Sequence, residues 1–265
     1  MATERPAINP CKLTDDLYWI GAHSMSPAHL IVTNDGLILI DTGTVDTQEQ
    51  IIKNIEFFGF DVRDVKHIIH SHGHFDHVGA TNDIVKVSGA KTYIGLGDED
   101  AVRGKNTLLW ASKAPPEDHE EFYFEPDVII KDGDVIKVGE TELRFVATPG
   151  HTAGVISMFF NVHDGGKEYL AGMFGGAGYG TMKLAFLDSM GLPHTLREDY
   201  VNSINRIIGE PVEVHVGNHP GNNNHISKAE RKTDDFNPFV EEKTWVSFLE
   251  KQRDGFIEKY INANV

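Results

Sequence analysis

The run Ile68-Ile69-His70-Ser71-His72-Gly73-His74-Phe75-Asp76-His77-Val78-Gly79 places three imidazoles and a carboxylate within the six residues from His72 to His77, directly after an apolar, strand-like stretch. Imidazole nitrogen and carboxylate oxygen are the ligands Zn²⁺ favours, and four of them this close cannot all bind one ion with good tetrahedral geometry. The string reads as a metal site, divided between two ions.

Two later pieces can complete such a shell. Thr148-Pro149-Gly150-His151-Thr152-Ala153-Gly154 puts a histidine in a tight Pro-Gly turn after the strand-like Leu143 to Ala147. Val212-Glu213-Val214-His215-Val216-Gly217-Asn218-His219-Pro220 places His219 just past a strand, while His215 sits inside its alternation. His151 and His219 are the candidate ligands, with His215 and His225 as competitors of His219.

The elements that must position these groups follow from periodicity. Ser26 to Val32 and Gly36 to Asp41 predict two strands around the turn Asn34-Asp35-Gly36, the second nearly continuous in apolar residues and so buried on both faces. Ile51, Ile52, Ile55 and Phe58 recur at helical spacing within Thr47 to Phe58, and Gly59 closes that helix. Val65 to His70 is the next strand, so the metal string leaves the sheet at a strand carboxyl end, where α/β folds place their sites. Val78 to Val87 predicts a helix and Lys91 to Leu96 a strand. The stretch 98–121, with Gly104, Pro115, Pro116 and many acids, reads as a loop or broken helix that could separate two halves. Val128 to Ile130, Asp134 to Val138 and Glu142 to Ala147 predict a β-meander, continued by Val155 to Val162 and Glu168 to Ala171. From Asn237 on, Phe239, Val240, Trp245, Phe248, Leu249, Phe256, Tyr260 and Ile261 predict one long or two short amphipathic helices. The expected fold is α/β (α+β), two sheets face to face with helices outside, in a single domain over 1–265.

Taken in order, Leu39-Ile40-Asp41-Thr42-Gly43, His72-Gly73-His74-Phe75-Asp76-His77, Thr148-Pro149-Gly150-His151-Thr152, Tyr169-Leu170-Ala171-Gly172-Met173 and Gly217-Asn218-His219-Pro220 resemble the metallo-β-lactamase-fold hydrolase superfamily over most of the chain. The resemblance implies an αββα sandwich with the site along one edge. It implies that His72, His74 and His151 bind one Zn²⁺ and Asp76, His77 and His219 the other, with Asp76 also orienting the nucleophile. Asp41, ending a buried strand, is then a residue that holds the ligand loop in place.

Met173 stands where many members carry a metal-bridging aspartate, and a thioether is a poor zinc ligand beside carboxylate. Loss of that bridge, together with Asn237-Pro238-Phe239-Val240, is similar to subclass B3 metallo-β-lactamases. Gly175-Gly176-Ala177-Gly178-Tyr179-Gly180 departs from the serine-bearing stretch that many such enzymes use beside the substrate. The expected activity is opening of a β-lactam amide by zinc-activated water. Lactone or thioester hydrolysis is the alternative, and a di-iron redox protein of the same fold a remoter one. The substrate pocket is expected from 23–29, 98–121 and 173–195, with Trp110, Phe124, Tyr179 and Phe186 as candidate lining residues.

Composition limits the partners. The 24 Lys+Arg against 40 Asp+Glu give a formal charge of -16, which repels a phosphate backbone or an anionic membrane, so a small-molecule substrate is expected. The single Cys11 excludes an intrachain disulfide. Met1-Ala2-Thr3-Glu4-Arg5-Pro6 lacks the basic and apolar regions of a signal peptide, so a cytoplasmic location is expected for the chain as it stands, and a periplasmic or secreted one if a leader has been removed.

Overall fold

The computed structural model describes residues 5–106 and 122–262. Two mixed sheets lie face to face with helices on the outside, the αββα sandwich expected. The first sheet runs in chain order through β1 (Cys11–Lys12), β2 (Leu17–Trp19), β3 (His29–Thr33), β4 (Gly36–Ile40), β5 (Val65–Ile69), β6 (Lys91–Gly95) and β7 (Val128–Ile130). It is antiparallel up to β4 and parallel from β4 to β7. The second contains β8 (Val135–Val138), β9 (Thr141–Ala147), β10 (Ile156–Asp164), β11 (Lys167–Met173) and β12 (Val214–Val216), in spatial order β12-β11-β10-β9-β8.

Period-two alternation decides which side chains meet between the sheets. Ile31, Ile38, Ile40 and Ile69 point inward to join Leu143, Phe145, Met158, Phe160 and Val162 of the second sheet in one core. Their neighbours Leu30, Leu37, Leu39 and Ile68 point outward, against Ile51 and Ile55 of α1 (Gln48–Phe57) and Ile84 of α3 (Thr81–Ser88). On the far side, Val146 and Phe159 pack against Tyr200 and Ile204 of α6 (Leu196–Ile207) and Trp245, Leu249 and Phe256 of α9 (Trp245–Phe256). Strand β4 is therefore covered on two faces, which is why it reads as a nearly continuous apolar run, whereas β5 is covered on both faces only at Ile68 and Ile69 and leaves Lys66 exposed.

Some expectations are corrected. Val128 to Ile130 does not open the meander. It pairs parallel with β6 in the first sheet, since Val128 and Ile129 fit either assignment and only long-range pairing chooses. The helix expected over Val78 to Val87 is divided into α2 (Phe75–Val78) and α3 by a turn at Gly79-Ala80, where Gly79 lies against the backbone of Thr44 and Val45 and Ala80 leaves the helical conformation. The stretch 173–195, taken as loop, contains α5 (Leu184–Met190). Among the described residues the remaining α-helices are α4 (Glu99–Val102), α7 (His225–Arg231) and α8 (Pro238–Glu241), and α9 continues into a π-helical turn, Ile257–Asn262. Among the described residues no helix is long and apolar enough to cross a membrane.

Candidate metal centre

The donor side chains come from loops that leave strand carboxyl ends. His72 and His74 lie in the loop after β5, Asp76 and His77 on the single turn of α2, His151 in the Pro-Gly turn after β9, and His219 in the loop after β12. The fold brings all six together in two groups, His72 with His74 and His151, and Asp76 with His77 and His219, the donor atoms of each lying within 4.8 Å of one another. The groups adjoin, with the His72 and His77 rings 4.0 Å apart.

In the first group His72 Nε2 is 3.1 Å and His151 Nε2 3.0 Å from His74 Nδ1. In the second, His77 Nε2 is 3.2 Å from His219 Nε2, and Asp76 Oδ2 is 3.9 Å and 3.6 Å from those nitrogens. Two ligands at zinc-nitrogen distance and tetrahedral angle are about 3.3 Å apart, so the donor spacing fits a zinc-sized ion in each group.

The opposite ring nitrogens fix the tautomers. His77 Nδ1 donates to Asp41 Oδ2 at 2.8 Å, His151 Nδ1 to the Gly178 carbonyl at 2.7 Å and His219 Nδ1 to the Ser24 carbonyl at 3.1 Å. With that proton on Nδ1, each Nε2 keeps a lone pair directed into its group. His72 Nδ1 lies 3.2 Å from Ser71 Oγ, and the Ser71 hydroxyl in turn donates to Asp41 Oδ2. His74 is reversed, with Nδ1 in the group and a buried Nε2 that has no hydrogen-bond partner among the described residues.

Electrostatics favours a cation here. Burial, then the neighbouring imidazoles, hold His72 and His74 well below the ordinary histidine range, and burial holds His151 down to about 4. These rings are neutral at pH 7, as metal ligands must be. Burial alone would lower His77 too, but the Asp41 and Asp76 carboxylates and the Asp41 hydrogen bond carry it above its usual value. Asp41 is itself wholly buried, and its backbone takes the left-handed conformation, φ 59°. It directly follows β4 and binds the Ser71 amide with Oδ1 and both Ser71 Oγ and His77 with Oδ2.

The competing histidines are engaged elsewhere. His215 Nδ1 faces Thr244 Oγ1 at 3.0 Å beside Trp245 and Phe248, and His225 packs between Trp19 and Phe239. Met173 is fully buried in the core between the sheets. Among the candidate lining residues, Tyr179 packs with Tyr200, Phe256 and Tyr260, Phe124 lies against His70, Phe186 is half-buried on α5, and Trp110 lies outside the described residues, as do 107–121 of the expected pocket loop.

Sequence reading passed over Ser71, Asp98, Gly178 and Gln252. Ser71 lies inside the motif, and Asp98 follows a strand as Asp41 does, which was the available signal. Gly178 lies in the glycine-rich stretch already singled out, though nothing there marked its carbonyl as a partner of His151, and Gln252 gave no signal. The Gly178 amide donates to Gln252 Oε1 at 3.1 Å, while its carbonyl holds His151, and φ 102° at this position suits glycine alone.

A two-sheet sandwich with adjoining histidine-rich donor groups at its strand ends is the architecture of a metal-dependent protein class. The chain belongs to the metallo-β-lactamase superfamily, whose family model matches residues 23–164. It is similar to the solved structure of BJP-1, a subclass B3 metallo-β-lactamase of Bradyrhizobium japonicum, at 26% identity and a TM-score of 0.83 over 97% of this chain and 96% of that one. In sequence it is 30% identical over 147 residues to a probable metallo-hydrolase, YflN, of Bacillus subtilis, covering 51% of this chain and 54% of that protein. It is also 30% identical over 147 residues to a hydroxyacylglutathione hydrolase of Buchnera aphidicola, covering 56% and 44%. The matches span about half the length of these curated relatives.

Proposed function

We propose that the protein is a zinc-dependent hydrolase that opens the amide of a β-lactam in the manner of subclass B3 enzymes. In this reading His72, His74 and His151 hold one zinc, and Asp76, His77 and His219 the other. The observation that carries it is the pair of adjoining donor groups, whose internal spacing suits one ion each. The near-complete overlap with a subclass B3 enzyme supports the finer class, and burial of Met173 in the core agrees with a second site that does not use that position.

When bound, a zinc pair supplies Lewis-acid polarisation of a carbonyl oxygen and brings the pKa of a water toward about 7. The protein's own groups supply the rest. Asp41 and the carbonyls of Gly178 and Ser24 lock the ring orientations, so little reorganisation is left for the reaction. The nearly buried Asp76 carboxylate lies beside both His77 and His219, where it can accept a proton of the attacking water and orient its lone pair.

A second reading is thioester hydrolysis, favoured by the relatives described as hydroxyacylglutathione hydrolases. The deciding experiment is turnover of a chromogenic cephalosporin by protein of measured zinc content, with and without chelator, beside a hydroxyacylglutathione. Chelator-sensitive cephalosporin turnover with two zincs per chain is expected. Two zincs with thioester turnover alone would replace the first reading by the second, and iron in place of zinc would overturn both.

A further inference from the structure

Asp98 is wholly buried just before α4, the position where an aspartate ordinarily caps a helix, yet its side chain makes no cap hydrogen bond. Its oxygens turn to the two loops that carry the three-histidine group. Oδ2 accepts from the Gly73 amide at 2.8 Å and from Thr152 Oγ1 at 2.5 Å, and Oδ1 accepts from the Gly154 amide at 2.9 Å. Gly73 stands between His72 and His74, and Thr152 follows His151.

The approach is close because both partners are glycines. A Cβ built on Gly73 would lie 3.1 Å, and one on Gly154 2.7 Å, from the Asp98 side chain. A buried carboxylate is costly unless its lone pairs are met, so a side chain that only filled this space would be apolar. Here one carboxylate joins segments 25 and 56 residues away from it.

We propose that Asp98 is a positioning residue for the three-histidine site: it clamps the loop of His72 and His74 to the loop of His151, so that their donor nitrogens converge at 3.0–3.1 Å. The inference rests on the reading above, that this group holds zinc. Asp98→Asn keeps the shape but turns an amide NH₂ toward one of the loop N–H donors, so it loosens the clamp without emptying the cradle. Thr152→Val removes a single donor.

The test is competition of the full-length chain with a chromogenic chelator for zinc, with the melting temperature of the metal-free protein measured alongside. Asp98→Asn is expected to weaken one of the two zincs by about 10- to 100-fold, the range typical of groups that orient ligands. Thr152→Val should weaken the same zinc by less, and in a His151→Ala chain Asp98→Asn should have no further effect on the zinc that remains. A lowered metal-free melting temperature with both zinc affinities unchanged would make Asp98 a merely structural carboxylate and overturn the proposal. Should Asp98→Asn not fold, unchanged zinc binding by Thr152→Val overturns it equally. A wild-type chain that binds no zinc overturns the metal reading and this inference with it, whereas two zincs held alike by wild type and variants overturn the inference alone.

Discussion

Asp41 Oδ2 accepts the Nδ1 proton of His77 at 2.8 Å, and neither side chain is reached by solvent. The residues are 36 apart in sequence, one directly after β4 and the other on α2. The contact fixes the His77 tautomer and aims Nε2 at Asp76 and His219. Asp41→Asn tolerates the left-handed backbone but offers an amide in place of the charge. We expect about 10- to 100-fold weaker zinc binding at the Asp76, His77 and His219 group, read by competitive titration. Unchanged affinity would reduce Asp41 to a loop brace for Ser71.

His151→Ala removes one of three donors from the first group. We expect loss of hydrolysis and of about one zinc per chain, measured on protein that still melts cooperatively. Full activity at unchanged zinc content would remove His151 from the site.

Met173→Ser probes the position where many members carry a bridging aspartate. Both zincs and activity of the same order should remain, because the side chain lies in the core rather than in a donor group. The fold should nevertheless lose roughly 2–5 kcal/mol for the deleted buried side chain, measurable by denaturant unfolding. Loss of a zinc would mean the second group is wrongly drawn.

Gln252 of α9 accepts from the Gly178 amide and from the hydroxyl of buried Tyr200. Gln252→Leu strands both donors, at about 1–3 kcal/mol each. We expect reduced stability together with a fall in kcat/KM, since the Gly178 carbonyl orients His151. A stability loss with unchanged kcat/KM would show that α9 does not act on the centre.

Acid should destabilise the metal-free protein. Burial pushes His29 and His215 down to about 3 and His225 to about 4, whereas an unfolded chain protonates them near 6.5. The unfolded state therefore binds more protons below about pH 6.5, and stability falls as pH falls from there toward about 3–4. Each such histidine contributes a slope approaching 1.4 kcal/mol per pH unit within that window. His225→Phe, set between Trp19 and Phe239, should flatten the dependence by about one proton. An unaltered slope with chelator present would show that His225 is not held neutral.

How much of the site could be read from the chain depends on distance along it. His72, His74, Asp76 and His77 are legible because one turn and one short loop carry them. His151 and His219 are legible because each follows a strand-like run into a Pro-containing turn. Gln252 and Ser24 reach the centre from α9 and from the loop before β3, and no local pattern marks them. Val128 to Ile130 shows the same limit for the fold, since its apolar side chains suit either sheet and only pairing with β6 decides between them.

The sequence by itself determined the donor types, their strand-end placement and the layered α/β architecture, because these rest on local spacing and on periods of 2 and 3.6 residues. The family resemblance already implied which donors share a group and that Asp41 holds the ligand loop; the tertiary structure alone decided which ring nitrogen carries each proton and that Asp98 ties the loops together as well. Those depend on contacts across as many as 195 residues, such as His219 Nδ1 on the Ser24 carbonyl, and form only when the two sheets close over their common core.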